Sequence, residues 1–507
     1  LSSDGAPLEG IRALLGLGPH EPIPPSEVRM GTTLATNALL ERDGCRCVLV
    51  ANEGLGDLSL LGDQTRPELF ALDIERPAPL ADAVIEVGAR MAADASILQT
   101  LDATALRLAL EEARGRGAES VAVALIHAHC DGGLEHQVAA IATDAGFSHV
   151  SVSSDISNEI GLLGRTDTAV ANAYLTPLLT HYVAELEKEL GVGRLRMMQS
   201  NGGLVDASDF IGRDAVLSGP AAGVVATGAV AAELGLAEVI GLRYDGEVAR
   251  VFESQIGGIR IRAPMIELHT VAAGGGSICT LEGQRMTVGP QSAGADPGPL
   301  CYGNPDGRDL TLTDVALCLG RIAADRFPFA LDEQRPLEKL DEIVESLREA
   351  GIERTSSDVA HGFLRVAVEN MAAAIQKVSV GRGHDVRTHG MVVFGGAGGQ
   401  YACLIARRLG IRSLVFHPYA GVLSAFGMGV ANFEWHGDSK RTPGLGPNGT
   451  SVDKSRFATG ARKRRWRSTG ATRTRCAWRS RRLIGASSDT SGASTPSKRP
   501  RFASQWS

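Results

Sequence analysis

The richest chemical signal in the sequence is Met391-Val-Val-Phe-Gly395-Gly396-Ala397-Gly398-Gly399-Gln400, which leads into Tyr401–Leu409. An apolar strand here delivers the chain to a loop without side chains, and the loop opens a helix at 401–409. Backbone N–H groups and the positive end of such a helix can meet an anion or a nucleotide. Gly395, Gly396, Gly398 and Gly399 allow close backbone approach. The loop is neither G-x-x-x-x-G-K-[ST] nor G-x-G-x-x-G, and tight helix–strand packing explains glycines at this place equally well.

Other segments hold residues of related kinds. Leu217-Ser218-Gly219-Pro220-Ala221-Ala222-Gly223 reads as a helix start, with Ser218 or Gly219 as N-cap and Pro220 near N1. A well-made helix start is the plain reading; an anion site at Gly219 is the sharper one. Gly274-Gly275-Gly276-Ser277 follows Glu267, His269 and Thr270, and Val288–Pro299 sets Asp296 among glycines and prolines. A carboxylate and an imidazole beside such loops can bind a substrate or a metal. Equally, His269 reads as a core histidine on a strand and Asp296 as a turn residue bonded to its own backbone. In Met30-Gly31-Thr32-Thr33, running on to Asn37 and Arg42, Thr and Asn cap or begin a helix. There is no H-E-x-x-H, G-x-S-x-G or C-x-x-C, so zinc peptidase, serine hydrolase and redox readings lose support.

These motifs need a scaffold. Cys47–Val50 reads as a buried strand, 103–116 as a helix, Ser120–Ile126 as a strand, 135–145 as a helix and Ser148–Ser153 as a strand. That order belongs to an α/β domain with a mainly buried sheet. A long helical pattern runs from Asp167 to Leu190, with Pro177 placed to break or kink it. A strand at 195–199 enters the turn Asn201-Gly202-Gly203, a helix spans Pro220–Leu234, residues 248–270 alternate as antiparallel strands, and 357–378 form a helix.

Composition agrees with a globular chain: 507 residues, 44% hydrophobic and 21% charged, enough for roughly two to four domains. The 61 glycines are clustered rather than periodic, which points to loops that approach a ligand. No apolar run is long enough for a membrane helix, and no leader opens the chain. The eight cysteines are scattered, the closest pair being Cys45 and Cys47, which suits a reducing cytoplasm. Charge is uneven. Residues 438–507 carry 17 basic and 3 acidic side chains, and all four Trp lie at 435–506. This basic tail lacks apolar periodicity and reads as disordered. A nucleic-acid-binding arm is the less favoured reading, and a frame-shifted translation of a GC-rich gene fits its composition better. Residue 1 is Leu, so the chain reads as a fragment or a processed product.

Several blocks together resemble the hydantoinase/oxoprolinase family, in particular its ATP-dependent A-type subunit. They are MGTTLATNALLERDG (30–44), SNGGL (200–204), LSGPAAGV (217–224), IELHTVAAGGGS (266–277), VGPQSAGADPGPLCYG (288–303), LTDVALCLGR (312–321), FGGAGGQYACLIARRLG (394–410) and GVLSAFGMGVA (421–431). Within the family the wording is similar to the 5-oxoprolinases. The resemblance implies an α/β, actin/hexokinase-like ATPase core with an N-terminal α/β domain. It divides the chain into 1–150, 151–437 and the tail 438–507. It implies ATP and Mg²⁺ as cofactors, and hydrolysis of a cyclic amide, 5-oxoproline or a hydantoin, by phosphorylation of the amide oxygen. It also implies a B-type partner subunit or domain and an oligomer in the cytoplasm. Nucleotide contacts are expected at Gly395, Gly396, Gly398, Gly399, Gly219 and Gly275. Asp296 and His269 are the catalytic candidates, and metal ligands stay unassigned.

Two departures matter. Family members carry a first phosphate loop D-x-G-G-T-F-T-D, and this chain begins after it. They carry a second, D-M-G-G-T-S-T-D-V, after the strand matching Glu238–Leu242, where this sequence runs straight into Arg243-Tyr244-Asp245. Both loops handle phosphate and metal in the family. The resemblance therefore implies an impaired enzyme or, alternatively, a non-catalytic subunit that binds a B-type partner.

Overall fold

The computed structural model describes residues 6–64, 72, 78–190, 193–236, 238–240, 242–243, 250–266, 274–381 and 383–433. The basic tail and His269 lie outside them. The chain is mixed α/β, and its first sheet shows how the sequence pattern becomes layers. Four parallel strands run in the order Ala83–Val87, Cys47–Asn52, Ser120–Ala124, His149–Val152. Alternate residues serve opposite cores, as a strand covered on both faces requires. Val48, Val50, Val121 and Val123 join Leu106, Leu110, Leu134 and Val138 of helices Ala103–Gly115 and Gly133–Asp144. Cys47, Leu49, Ala122 and Ala124 join Ala169, Ala173 and Leu175 of the 29-residue helix Leu162–Leu190.

Pro177 lies inside that helix without ending it. Proline removes the N–H that would bond the carbonyl four residues earlier. That carbonyl belongs to Ala173, and it accepts instead from Ser120 Oγ at 2.8 Å. The Tyr174 carbonyl accepts from the Cys45 N–H at 3.1 Å. The same helix is pinned by a fully buried network. Glu135 accepts from Leu125 N–H, Ser153 Oγ and Ser154 N–H at 2.7–2.9 Å, while Arg165 donates to Ser153 Oγ and Leu125 O at 3.0 and 2.8 Å.

A second, three-stranded sheet pairs Glu27–Met30 in parallel with Arg194–Met198, which pairs antiparallel with Leu204–Asp206. The connecting turn places Gly202 at φ +89°, and Gly203 N–H donates to Asn201 Oδ1 at 2.7 Å. Next comes the helix Ser218–Leu234, which lies so close to helix Leu423–Val430 that a β-carbon at Gly427 would overlap the Ala222 carbonyl oxygen. Residues 250–266 form short antiparallel pairs, Arg250–Val251 with Met265–Ile266 and Ser254–Ile256 with Ile259–Ile261.

The third sheet carries the glycine motif. Strands Gly390–Val393 and Ser413–Phe416 run parallel, and Val239 pairs with Gly390. The strand expected at 238–242 stops at Val239; Leu242–Arg243 returns antiparallel to it. Two residues stand between the paired segments. A further core gathers Leu312, Val315, Phe363, Leu364, Tyr401 and Ile405 under the hairpin Ser277–Glu282/Arg285–Ser292.

Candidate functional site

Strand Gly390–Val393 is buried throughout, and the chain surfaces at Phe394, Gly395 and Gly396. The following helix begins at Gly398 rather than 401, so Gly398 and Gly399 form its first turn. Ala397 is its N-cap and has no side-chain acceptor, which leaves first-turn N–H groups without a capping partner. Gly395 has φ +87°, and its N–H is fixed to Ala420 O at 2.8 Å. A β-carbon at Gly395 or Gly396 would have no heavy atom within 4 Å. Packing therefore does not demand these two glycines, whereas Gly398 lies against the strand, where a β-carbon would sit 3.5 Å from Val393 Cγ1.

Two other glycine segments are brought to this loop. A β-carbon at Gly275 would lie 3.4 Å from Ala397 Cβ and 2.6 Å from Thr313 Oγ1. Thr313 holds Gly275 O through both its N–H and Oγ1, at 2.8 and 2.9 Å. On the other side Gly223 faces Phe394, with a β-carbon 2.8 Å from Cε2. Gly219 stands one turn earlier on the same helix face, and its own β-carbon would meet nothing within 4 Å. The expected caps differ here. Helix Ser218–Leu234 has Leu217 as N-cap, so Pro220 is its third residue. Ser218 does not cap; its Oγ donates to Thr32 O at 2.9 Å and accepts from Thr32 N–H at 3.3 Å. Thr33 makes no side-chain cap either. The MGTT and LSGP motifs thus meet each other.

Asp296 lies exposed in a loop tied to Gly276 through the Ala293 N–H, which donates to Gly276 O at 2.9 Å. Its Oδ1 accepts from Asn304 Nδ2 at 3.0 Å. The sequence reading assigned no role to Asp314. This fully buried carboxylate accepts from Leu300 N–H, Cys301 N–H, Thr311 N–H and Thr311 Oγ1 at 2.7–3.2 Å. It joins the Asp296 loop to the helix that holds Gly275. Its signal was the capping box T-x-x-D at Thr311–Asp314. Burial pushes the thiols of Cys279 and Cys301 up, and that of Cys318 up to about 11, so none is a ready thiolate nucleophile. Among the described residues no group of three or more His, Cys, Asp or Glu is gathered to hold a metal ion.

Models of known families decide the kinship. The hydantoinase/oxoprolinase model matches residues 165–436, and the hydantoinase/oxoprolinase N-terminal region matches 1–146. The chain belongs to the hydantoinase/oxoprolinase family. Among its relatives, the 5-oxoprolinase of Saccharomyces cerevisiae is 37% identical over 84% of this chain and 38% of its own length. The caprolactamase subunit alpha of Pseudomonas jessenii is 30% identical over 84% of this chain and 65% of its own. A crystal structure of the ATP-dependent caprolactamase from Pseudomonas jessenii superposes with a TM-score of 0.70 at 28% identity, covering 85% of this chain and 65% of that one. The chain spans about 38% of the length of the 5-oxoprolinase it matches. This hydantoinase/oxoprolinase chain has the mixed α/β fold expected of it. Among its described residues no helix is long and apolar enough to cross a membrane.

Proposed function

We infer that the chain is the nucleotide-binding part of an ATP-dependent cyclic amide hydrolase. Carrying this reading is the convergence of Gly219, Gly275 and Gly395–Gly396, two of them at or next to uncapped helix starts. The open loop fits a nucleotide: backbone N–H groups at 396–399 and the helix Gly398–Leu409 would hold phosphate oxygens without a side chain in the way. ATP supplies the phosphoryl group that makes an amide carbon electrophilic. Mg²⁺ belongs to this reading as the nucleotide's counter-ion. The chain's own residues bind and orient; Thr313, Asp314 and Ser218 fix the loops that do so. 5-Oxoproline is the favoured substrate, supported by the yeast 5-oxoprolinase relative, with hydantoins and other lactams of the same class.

The reversal after Val239 supports an impaired enzyme, because a tight return stands where the family places a phosphate loop. Phosphoryl transfer depends on positioning and charge stabilisation, and losing one comparable donor typically lowers the rate about 10²–10³-fold. The same observation favours the second reading, a subunit that binds a B-type partner without turnover. ATP-dependent glutamate release from 5-oxoproline tests both, with the partner supplied. The chain should turn over far more slowly than a version with the family loop restored after Leu242. Equal rates would overturn the impairment; release by neither version would favour the second reading.

A further inference from the structure

Away from the glycine loops, the first sheet changes direction. From Cys47–Asn52 the chain goes out to Ala83–Val87 on one side, then crosses to Ser120–Ala124 on the other. Strand order thus reverses between Cys47–Asn52 and Ser120–Ala124, and open parallel sheets bind ligands outside the carboxyl ends of strands at such a reversal. The loop that leaves this end reads Leu125-Ile126-His127-Ala128-His129-Cys130-Asp131. Asn52, the last residue of the neighbouring strand, accepts from Ile126 N–H at 2.6 Å. His127 is held at φ +60°, in the left-handed region that favours glycine. Residues held there at a cost in energy gather at functional sites.

Two side chains of this loop meet. Cys130 is an exposed free thiol. Its Sγ lies 3.4 Å from His129 Nε2 and 3.6 Å from Ala93 O, so the thiol proton has two acceptors. His129 Nδ1 is buried with no hydrogen-bond partner among the described residues, so no other polar atom there competes for the ring. Burial, the Arg165 guanidinium and His127 hold the imidazole below the usual histidine range. It is therefore neutral near pH 7 and able to take a proton. Arg165 itself is 1% exposed. Its Nη1 and Nη2 are committed to Ser153 Oγ and Leu125 O, and Glu135 lies 4.0 Å away, while Nε is buried without an acceptor. The guanidinium charge reaches both Cys130 and His129. Such a charge stabilises a sulfur as it becomes a thiolate. Cys403, the other exposed thiol among the described residues, stands on helix Gly398–Leu409, and no described imidazole is hydrogen-bonded to it.

We propose that Cys130 and His129 form a thiol-exchange site that takes a small disulfide carrying no negative charge. His129 Nε2 accepts the thiol proton as Cys130 Sγ attacks one sulfur of the disulfide. A new S–S bond forms to Cys130, the S–S bond of the reagent breaks, and the departing thiolate takes the proton back from the imidazolium. Cys130 is oxidised to a mixed disulfide and the departing sulfur is reduced, so the disulfide itself is the oxidant. The exposed carboxylates of Asp131, next to Cys130, and Asp94, next to Ala93, set the charge preference. The proposal does not depend on the nucleotide role of the glycine loop.

Brief treatment of the purified chain with dithiodipyridine, a neutral disulfide, followed by peptide mass spectrometry, tests it. At neutral pH Cys130 should be modified at least about tenfold faster than Cys403. His129→Gln should bring Cys130 down to the Cys403 rate. The pH profile separates a base from a packing residue. The Cys130 rate should hold until the imidazole protonates, below about pH 6, whereas an unassisted thiol loses about tenfold per pH unit below about pH 8. In His129→Gln the Cys130 profile should become that of an unassisted thiol. Cationic cystamine should favour Cys130 over Cys403 by a larger ratio than anionic oxidised glutathione does. Equal rates at the two thiols, a Cys130 profile unchanged in His129→Gln, or the same ratio with both reagents would overturn the proposal. The comparison of the two thiols within the parent chain stands even if the variant fails to fold.

Discussion

Gly396 is a glycine that packing does not require. A side chain there would touch nothing in the protein, so Gly396→Val should melt within a degree or two of the parent. It would project into the space assigned to phosphate, and nucleotide affinity should fall about tenfold or more, in line with the loss of a charge-assisted contact. Fluorescent-nucleotide titration checks this; unchanged affinity would remove the loop from the site. Asp167 makes a different prediction. It is half-buried on helix Leu162–Leu190 near Arg260, Asp63, Arg262 and Glu253, and burial pushes its carboxyl up to about 7. The folded state thus holds this proton more tightly than the unfolded state, so stability is lost as pH rises from about 4 to about 7. Asp167→Asn should therefore stabilise little near pH 4, and by about 1–3 kcal/mol at pH 8, as urea unfolding at the two pH values would show.

At the scale of elements, the contact between helices Ser218–Leu234 and Leu423–Val430 depends on Gly427, whose added β-carbon would strike the Ala222 backbone. Backbone cannot rotate out of the way as a side chain can. Gly427→Ala should destabilise by about 2–4 kcal/mol, measured by chemical denaturation; a neutral result would mean that the helices can separate freely. Elements were also where the sequence was most legible. Short continuous apolar runs such as Cys47–Val50 and strong helix signals at 103–116 and 357–378 gave the right elements, because local pattern and burial agree there. Other features were hidden by long-range partners. Pro177 looked like a break because its compensating donor, Ser120, is 57 residues away in sequence. Ser218 looked like a cap, but Thr32 claims its hydroxyl. Asp314 looked like part of a family block, and its four donors come partly from a loop more than ten residues upstream.

For the whole molecule, the proposed nucleotide site draws on segments near 219, 275 and 395, so on that reading ligand binding and global stability are linked. ATP at a hundred times its dissociation constant should stabilise the fold by about 2.7 kcal/mol. The melting temperature should rise with nucleotide in the parent and not in Gly396→Val; a rise in both would place nucleotide elsewhere. The buried Glu135–Arg165 network ties the first sheet to the helix Leu162–Leu190, which also packs into the core around Met197 and Val216.

One closure sets the order in which this molecule can be made. Arg29 Nη1 donates to Gly429 O at 2.8 Å across 400 residues, and Gly31 abuts Met428. Chains emerge from the ribosome at roughly 5–20 residues per second, so about 20–80 s separate the synthesis of these partners. During that interval the strand Glu27–Met30 can find Arg194–Met198 but lacks its final cover. The nascent chain must keep its small-residue helix Ser218–Leu234 unpaired until residue 430 is clear. Contacts of such long range slow folding, so emergence of helix Leu423–Val430, rather than collapse of the early sheets, is the step at which this closure first becomes reachable.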